Sequence, residues 1–408
     1  MALSATNLRS AQRVRNRTGE LHSKGQACLK FCVMLLMLQC FGPSTHCFDQ
    51  VCYLPAPTSP EALPLAMVNV SLCSHIILGF ATVGQDYSVD LDPLGGQEAL
   101  ASLAVLRKRK PTLKLMMSVG GGDIFKAMVS CASRRQRFIN STAWALRTAD
   151  LDGLDLDWEF PSPKDAANFV LLLEETTAEL KKDPERPLLL SVAVPAPLLL
   201  VLKSYTVPSI AKFADFVNLM TYDLHTYQWY TPFVDHNSPL FARSGEGPYF
   251  NTLNLAYSAY AWAELGMPKS KIMVGIPTYG LSWILKNSSQ WQVGSLATGR
   301  AKHGGGFVNF PEVCALLKHG SKREYDAESM VPYLHEGKLW VSYDDQESVA
   351  LKTKWILRNG YGGTMTFSLS SDDWAGKCGN GSFPLQRVIA HLGTGNNSVH
   401  LDQDSLKL

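Results

Sequence analysis

Three carboxylates stand two residues apart in the segment Asp152–Phe160 (DGLDLDWEF): Asp155, Asp157 and Glu159, alternating with Leu154, Leu156 and Trp158. On an extended strand that period sends the acids to one face and the apolar residues to the other. Carboxylates crowded along one face raise one another's pKa unless they share protons. A carboxyl kept protonated near neutral pH is what a general acid requires. Taken alone, the D-x-D-x-E spacing suits a solvated acidic strand better than an active site. An EF-hand calcium loop is ruled out, because it needs glycine at its sixth position and Phe160 stands there when Asp155 is counted first.

The surrounding elements decide between these readings. Apolar runs of strand length recur at VCYL (51), HIILGF (75), LKLMMSV (113), LDGLDLDW (151), LLLSVAV (188), FVNLMTY (216), KIMVGIPTY (271) and GGTMTFSL (362), separated by amphipathic stretches such as EALASLAVLRKR (98) and AANFVLLLEETTAELKK (166). Eight alternating strand–helix units predict an α/β fold, a closed parallel (β/α)8 TIM barrel in which the acids face the lumen and Trp158 faces the helices. The interval between Tyr279 and Gly362 is too long for a bare connection. It predicts a small α+β insertion over about 284–340, after strand seven, forming one wall of a groove.

The 408 residues, 46% of them hydrophobic and 18% charged, are those of a folded chain. Formal net charge is +2, yet residues 1–47 carry Arg9, Arg13, Arg15, Arg17, Lys24 and Lys30 against Glu20, which leaves the remainder at −3. Such a body offers no electrostatic footprint for nucleic acid or an anionic membrane. Residues 1–47 read as a signal peptide with a long basic leading region, an apolar run Phe31–Phe41 and cleavage near Cys47. A signal anchor and a start at Met34 are the other readings of that segment. Cleavage gives an extracellular, secreted protein with a barrel over 48–393, a polar tail over 394–408 and a monomer as the expected state.

Outside the leader remain Cys52, Cys73, Cys131, Cys314 and Cys378, with no CxxC pair for zinc or redox work. Five predicts two disulfides and one free thiol, with Cys131 a buried, inert candidate for the latter. Sequons at Asn69, Asn140, Asn287, Asn380 and Asn396 suit a glycosylated surface.

Taken together these segments resemble the family 18 glycoside hydrolases, the chitinases and chitinase-like proteins. DGLDLDWE matches that family's DGxDxDWE at every fixed position. The other strand ends match in order: Ser118-Val119-Gly120-Gly121, SVAVPA at 191, MTYD at 220 followed by HNSPLF at 236, and GIPTYG at 275. The resemblance covers nearly all of residues 50–393. It implies that Glu159 protonates the glycosidic oxygen while the substrate's own 2-acetamido oxygen attacks the anomeric carbon, an exception to the two-carboxylate scheme. Asp157 would orient that amide, with Asp155 beneath it, and Tyr222 would donate to its carbonyl. Asp223, Met220, Tyr53, Phe80, Phe367, Gly120 and Gly121 would bind the sugar. The implied ligand is chitin or chitooligosaccharides, no metal or organic cofactor is required, and the implied disulfides are Cys52 with Cys73 and Cys314 with Cys378.

The sequence departs from the family at several aromatic positions. Tyr53-Leu54-Pro55-Ala56-Pro57 replaces an aromatic-rich loop, Gly122 stands for the tryptophan of GGW, Phe367 for the strand-eight tryptophan, and Leu281 for an arginine. Trp229, Tyr230 and Trp283 are candidates to restore lost groove surface, and His225 and His236 are expected to be structural. The rivals to hydrolysis of β-1,4-linked N-acetylglucosamine are a chitinase-like lectin that binds without cutting and an endo-N-acetylglucosaminidase acting on N-glycan cores.

Overall fold

A computed structural model describes residues 48–56, 62–301 and 303–395. The expected leader, Pro57, the sequon at Asn396 and the tail from 396 onward lie outside the described residues.

Eight parallel strands close into a barrel: β1 (Asp49–Pro55), β2 (His75–Val83), β3 (Lys114–Gly121), β4 (Gly153–Trp158), β5 (Leu189–Pro195), β6 (Phe216–Met220), β7 (Ile272–Pro277) and, after an insertion, β14 (Gly363–Phe367). Each pairs with its neighbours in that order and β14 returns to β1. Helices α1 (Ala132–Thr148), α2 (Ala166–Leu180), α3 (Leu255–Glu264), α5 (Gln346–Arg358) and α6 (Pro384–Gly393) belong to the surrounding layer. No described helix is long and apolar enough to cross a membrane.

The register of β4 places the acids. Asp155 lies level with Ser118 on β3 and Ser191 on β5, and Asp157 lies level with Gly120. Gly153, which opens the strand, is required by a close approach: a Cβ there would sit 2.5 Å from the Leu189 carbonyl oxygen. On the outer face Trp158 stacks on Phe125 at 5.5 Å and meets Phe169 edge-on at 5.9 Å. It is a core residue, as alternation predicts, and its truncation to alanine is expected to cost about 3–5 kcal/mol. The lower lumen is filled by Val51, Ile77, Met116, Phe216, Met273 and Met365.

The insertion is an antiparallel sheet that starts earlier than predicted, at β8 (Tyr279–Leu285), and continues through β9 (Ala297–Arg300), β10 (Phe307–Asn309), helix α4 (Phe310–Lys318), β11 (Lys322–Asp326), β12 (Val331–Glu336) and β13 (Leu339–Ser342). One residue, Thr278, separates β7 from β8. Tyr279, Leu281, Trp283 and Leu285 share one face of β8 and are all buried in the insertion's own core. Trp283 meets Trp340 edge-on at 5.2 Å and is 1% exposed, so it supplies no groove surface. A capping box, Asn309 with Glu312, starts α4.

Both expected disulfides are present. Cys52–Cys73 links β1 to the approach of β2, and Cys314–Cys378 ties α4 to the segment beyond β14. Cys131 is free but half-exposed, not buried as expected, because it stands at the start of α1, with its sulfur 3.2 Å from Ser133 Oγ.

Candidate active site

The three acids form a column of increasing exposure. Asp155, at the bottom, is fully buried and accepts four hydrogen bonds: Tyr53 (2.7 Å) and Ser118 (2.7 Å) donate to Oδ2, Ser191 (2.6 Å) and Asn218 (3.1 Å) to Oδ1. Burial pushes its pKa up, and the hydroxyl and amide donors pull it back. It stands beneath the cavity rather than in its wall.

Asp157 is 8% exposed, and its Oδ1 has no hydrogen-bond partner among the described residues. Its carboxyl is held well above the ordinary range, first by burial, then by Glu159 and then by Asp155. Glu159 is the first residue past the end of β4 and reaches solvent at the mouth. Its carboxyl is also raised, by desolvation first and by Asp223 second. The column therefore favours retention of protons on its upper members.

Strand β6 delivers the opposite wall. Met220 ends the strand, and Tyr222 and Asp223 follow. Among the described residues the Tyr222 hydroxyl has only Met365 Sδ, at 3.6 Å, as a hydrogen-bond partner. Thioether sulfur is a weak acceptor, so this donor is available to a ligand. Asp223 adopts φ +54°, its N–H donates to Asn237 Oδ1 (2.8 Å), and its Oδ1 accepts from the Tyr279 phenol (2.8 Å).

These groups enclose a cavity of about 460 Å³. Its walls include Tyr53, Phe80, Gly120, Gly121, Asp157, Glu159, Met220, Tyr222, Asp223 and Phe367, all singled out from the sequence. Phe367 is central to the ring cluster, with centroids 5.7 Å from Tyr53, 6.3 Å from Phe80 and 6.2 Å from both Tyr222 and Tyr279. Aromatic faces bury the apolar face of a pyranose while the acids and phenols meet its polar edge.

Four wall residues are not among those singled out from the sequence: Thr82, Ala193, Tyr279 and Phe307. Tyr279 lies in the strand-end segment GIPTYG, which is the signal that could have found it. Phe307 comes from the insertion, where no pattern points at the groove. Trp229 and Tyr230 are 82% and 65% exposed and lie outside this cavity. His225 and His236 have acidic partners, Asp235 at 3.5 Å and Asp326 at 2.9 Å, consistent with structural roles.

The arrangement sets a carboxyl with raised proton affinity at the mouth above a second, buried one within a ring-lined cavity, a combination suited to acid-assisted cleavage of a sugar acetal. The family model for the glycosyl hydrolases family 18 matches residues 49–372. Oviduct-specific glycoprotein of Ovis aries is 35% identical over 383 residues, covering 88% of this chain and 69% of that one. The crystal structure of an immunomodulatory active chitinase from Trichuris suis superposes with a TM-score of 0.80 at 33% identity, covering 84% of this chain and 98% of that one. Human YKL-39, described as a pseudo-chitinase with retained chitooligosaccharide binding, does so with a TM-score of 0.79 at 32% identity, covering 85% and 100%.

Proposed function

The chain belongs to the glycosyl hydrolases of family 18, and from that premise we propose that it is a secreted chitinase-type hydrolase of β-1,4-linked N-acetylglucosamine oligomers or polymers. The observation that carries this reading is the placement of Glu159 at the mouth, above the buried Asp157, whose Oδ1 has no hydrogen-bond partner among the described residues, in one cavity with Tyr222. Glu159 gives its proton to the glycosidic oxygen as the bond to the anomeric carbon breaks. The acetamido oxygen of the same sugar forms the new bond to that carbon, giving an oxazolinium ion that Asp157 orients and stabilises. Tyr222 donates to the amide carbonyl, and Asp223 and Met220 hold the ring. Glu159, now a carboxylate, takes a proton from water, which opens the oxazolinium with net retention and restores the acid.

Secretion accords with the leader, and the exposed sequons at Asn140, Asn287 and Asn380 with glycosylation. One observation favours a second substrate, the N-glycan core. The rim is bare at Gly122, where a Cβ would meet nothing within 4 Å, which leaves room for a branch.

Fluorogenic chitobiose and chitotriose and a glycoprotein, assayed beside Glu159→Gln, test these readings. Hydrolysis that falls by about 10²–10⁴-fold in the variant is expected. Wild type and variant that are equally inert while both bind chitooligosaccharides would replace the hydrolase with a lectin.

A further inference from the structure

Asp223 holds a left-handed backbone, which a residue with a side chain keeps only where its neighbours fix it. Asn237, 1% exposed, does the fixing. Its Oδ1 accepts the Asp223 N–H at 2.8 Å and its carbonyl accepts the Leu224 N–H at 3.1 Å, so it grips the chain on both sides of the Asp223 peptide. Its Nδ2 donates to the Tyr279 carbonyl at 3.3 Å, and the Tyr279 phenol in turn donates to the Asp223 carboxyl at 2.8 Å. One side-chain amide thus spans the backbone of Asp223 and the strand that carries its phenol partner.

The grip is itself anchored. The Asn237 N–H donates to Ser342 Oγ on β13 at 2.9 Å. The next residue, Ser238, donates to the Thr221 carbonyl at 2.7 Å and accepts from the fully buried Lys352 at 3.0 Å, which is paired with Asp344.

We propose that Asn237 is a positioning residue that holds the Asp223 carboxyl at the mouth, next to Glu159, in the orientation that serves the sugar. This rests on the hydrolase reading above. The titratable and charged groups facing Glu159 and Asp223 are Asp157, Tyr205, Tyr222, Tyr279 and Arg300. Among them only Arg300 is a cation, and none of them reproduces the contact that Asn237 makes.

The test is the pH profile of kcat/KM on chitotriose for wild type, Asn237→Ala and Asn237→Asp. Releasing Asp223 withdraws a negative neighbour from Glu159, which then gives up its proton at lower pH. In Asn237→Ala the basic limb is expected to move to lower pH and kcat/KM at the optimum to fall about tenfold. Asn237→Asp keeps an acceptor for the Asp223 N–H, and its basic limb should not move down. A folded Asn237→Ala with the wild-type profile, or the same downward shift in both variants, overturns the proposal. If Asn237→Ala does not fold, a downward shift in Asn237→Asp overturns it and an unmoved limb supports it. If the wild type releases no sugar, the hydrolase reading falls separately. Asn237 is then judged by chitotetraose affinity, expected about tenfold weaker in Asn237→Ala and, if unchanged, fatal to the proposal.

Discussion

The phenol of Tyr53 donates a 2.7 Å hydrogen bond to Asp155 Oδ2, joining the first barrel strand to the fourth across the lumen. With three further donors it makes Asp155 the best-satisfied member of the acidic column, while Asp157 directly above keeps an oxygen without a partner among the described residues. Hydrogen bonds to a carboxylate favour its charged form, and burial beside other carboxylates opposes it. The column thus has a foot whose charge four donors stabilise, and above it Asp157, whose proton is held well above the ordinary carboxylate range.

Activity should carry that grading into its pH dependence. On the hydrolase reading the working form would hold one proton between Asp157 and Glu159, so kcat/KM should fall when a second proton binds and again when the last one leaves. Both carboxyls are raised, so both limbs should be displaced to the alkaline side of ordinary carboxylates. A profile whose basic limb lies at or below the value of a free glutamate contradicts this.

Asp157→Asn should stabilise the fold while it removes activity. The folded-state pKa of Asp157 is raised above its unfolded value, so its contribution is most favourable below the unfolded pKa and is lost as pH rises through the folded one. Each tenfold difference in proton affinity between the folded and unfolded chain is worth about 1.4 kcal/mol, so the gain should be larger at pH 8 and shrink toward pH 4. Urea unfolding at the two pH values measures it, and a gain independent of pH would reject the cause given.

Phe367→Trp tests the floor of the cavity. The larger ring adds on the order of 40 Å² of contact, worth about 1 kcal/mol or about fivefold in affinity for chitotetraose. Four rings within about 6.3 Å leave little slack, so the gain should appear in titration calorimetry only if the indole edge projects into the cavity. Weaker binding would mean that the cluster is already filled.

The two disulfides should differ in weight. Cys314–Cys378 closes a separation of 64 residues and Cys52–Cys73 one of 21, which loop-closure entropy makes unequal by about 1 kcal/mol, on totals of about 4 and about 3 kcal/mol. Cys314→Ser should therefore lower Tm more than Cys73→Ser, and the reverse order by calorimetry would show that strand packing dominates.

The strands and the inward face of the acids follow from period two, and Trp158 in the helix layer follows from the same alternation. The cavity wall is less accessible to that reasoning wherever it comes from the insertion. Phe307 pairs with Leu281 across two strands whose register no local pattern announces. Trp283 is a natural candidate for the groove because aromatics near an active site suggest ligand contact. The alternation Tyr279, Leu281, Trp283, Leu285 already places it on one face, and the choice of core for that face is a tertiary matter. The exposure of Cys131 likewise depends on how α1 begins, which its sequence neighbours leave open.

The single residue between β7 and β8 has a mechanical meaning. Tyr279, which gives its phenol to Asp223, and Phe307, held to β8 by pairing, are both fastened to a continuation of the barrel wall. A side of the cleft built this way has no joint on which to swing. The cleft would then select its ligand as a fixed mould does, and a sugar chain that needs bending would have to do the bending itself.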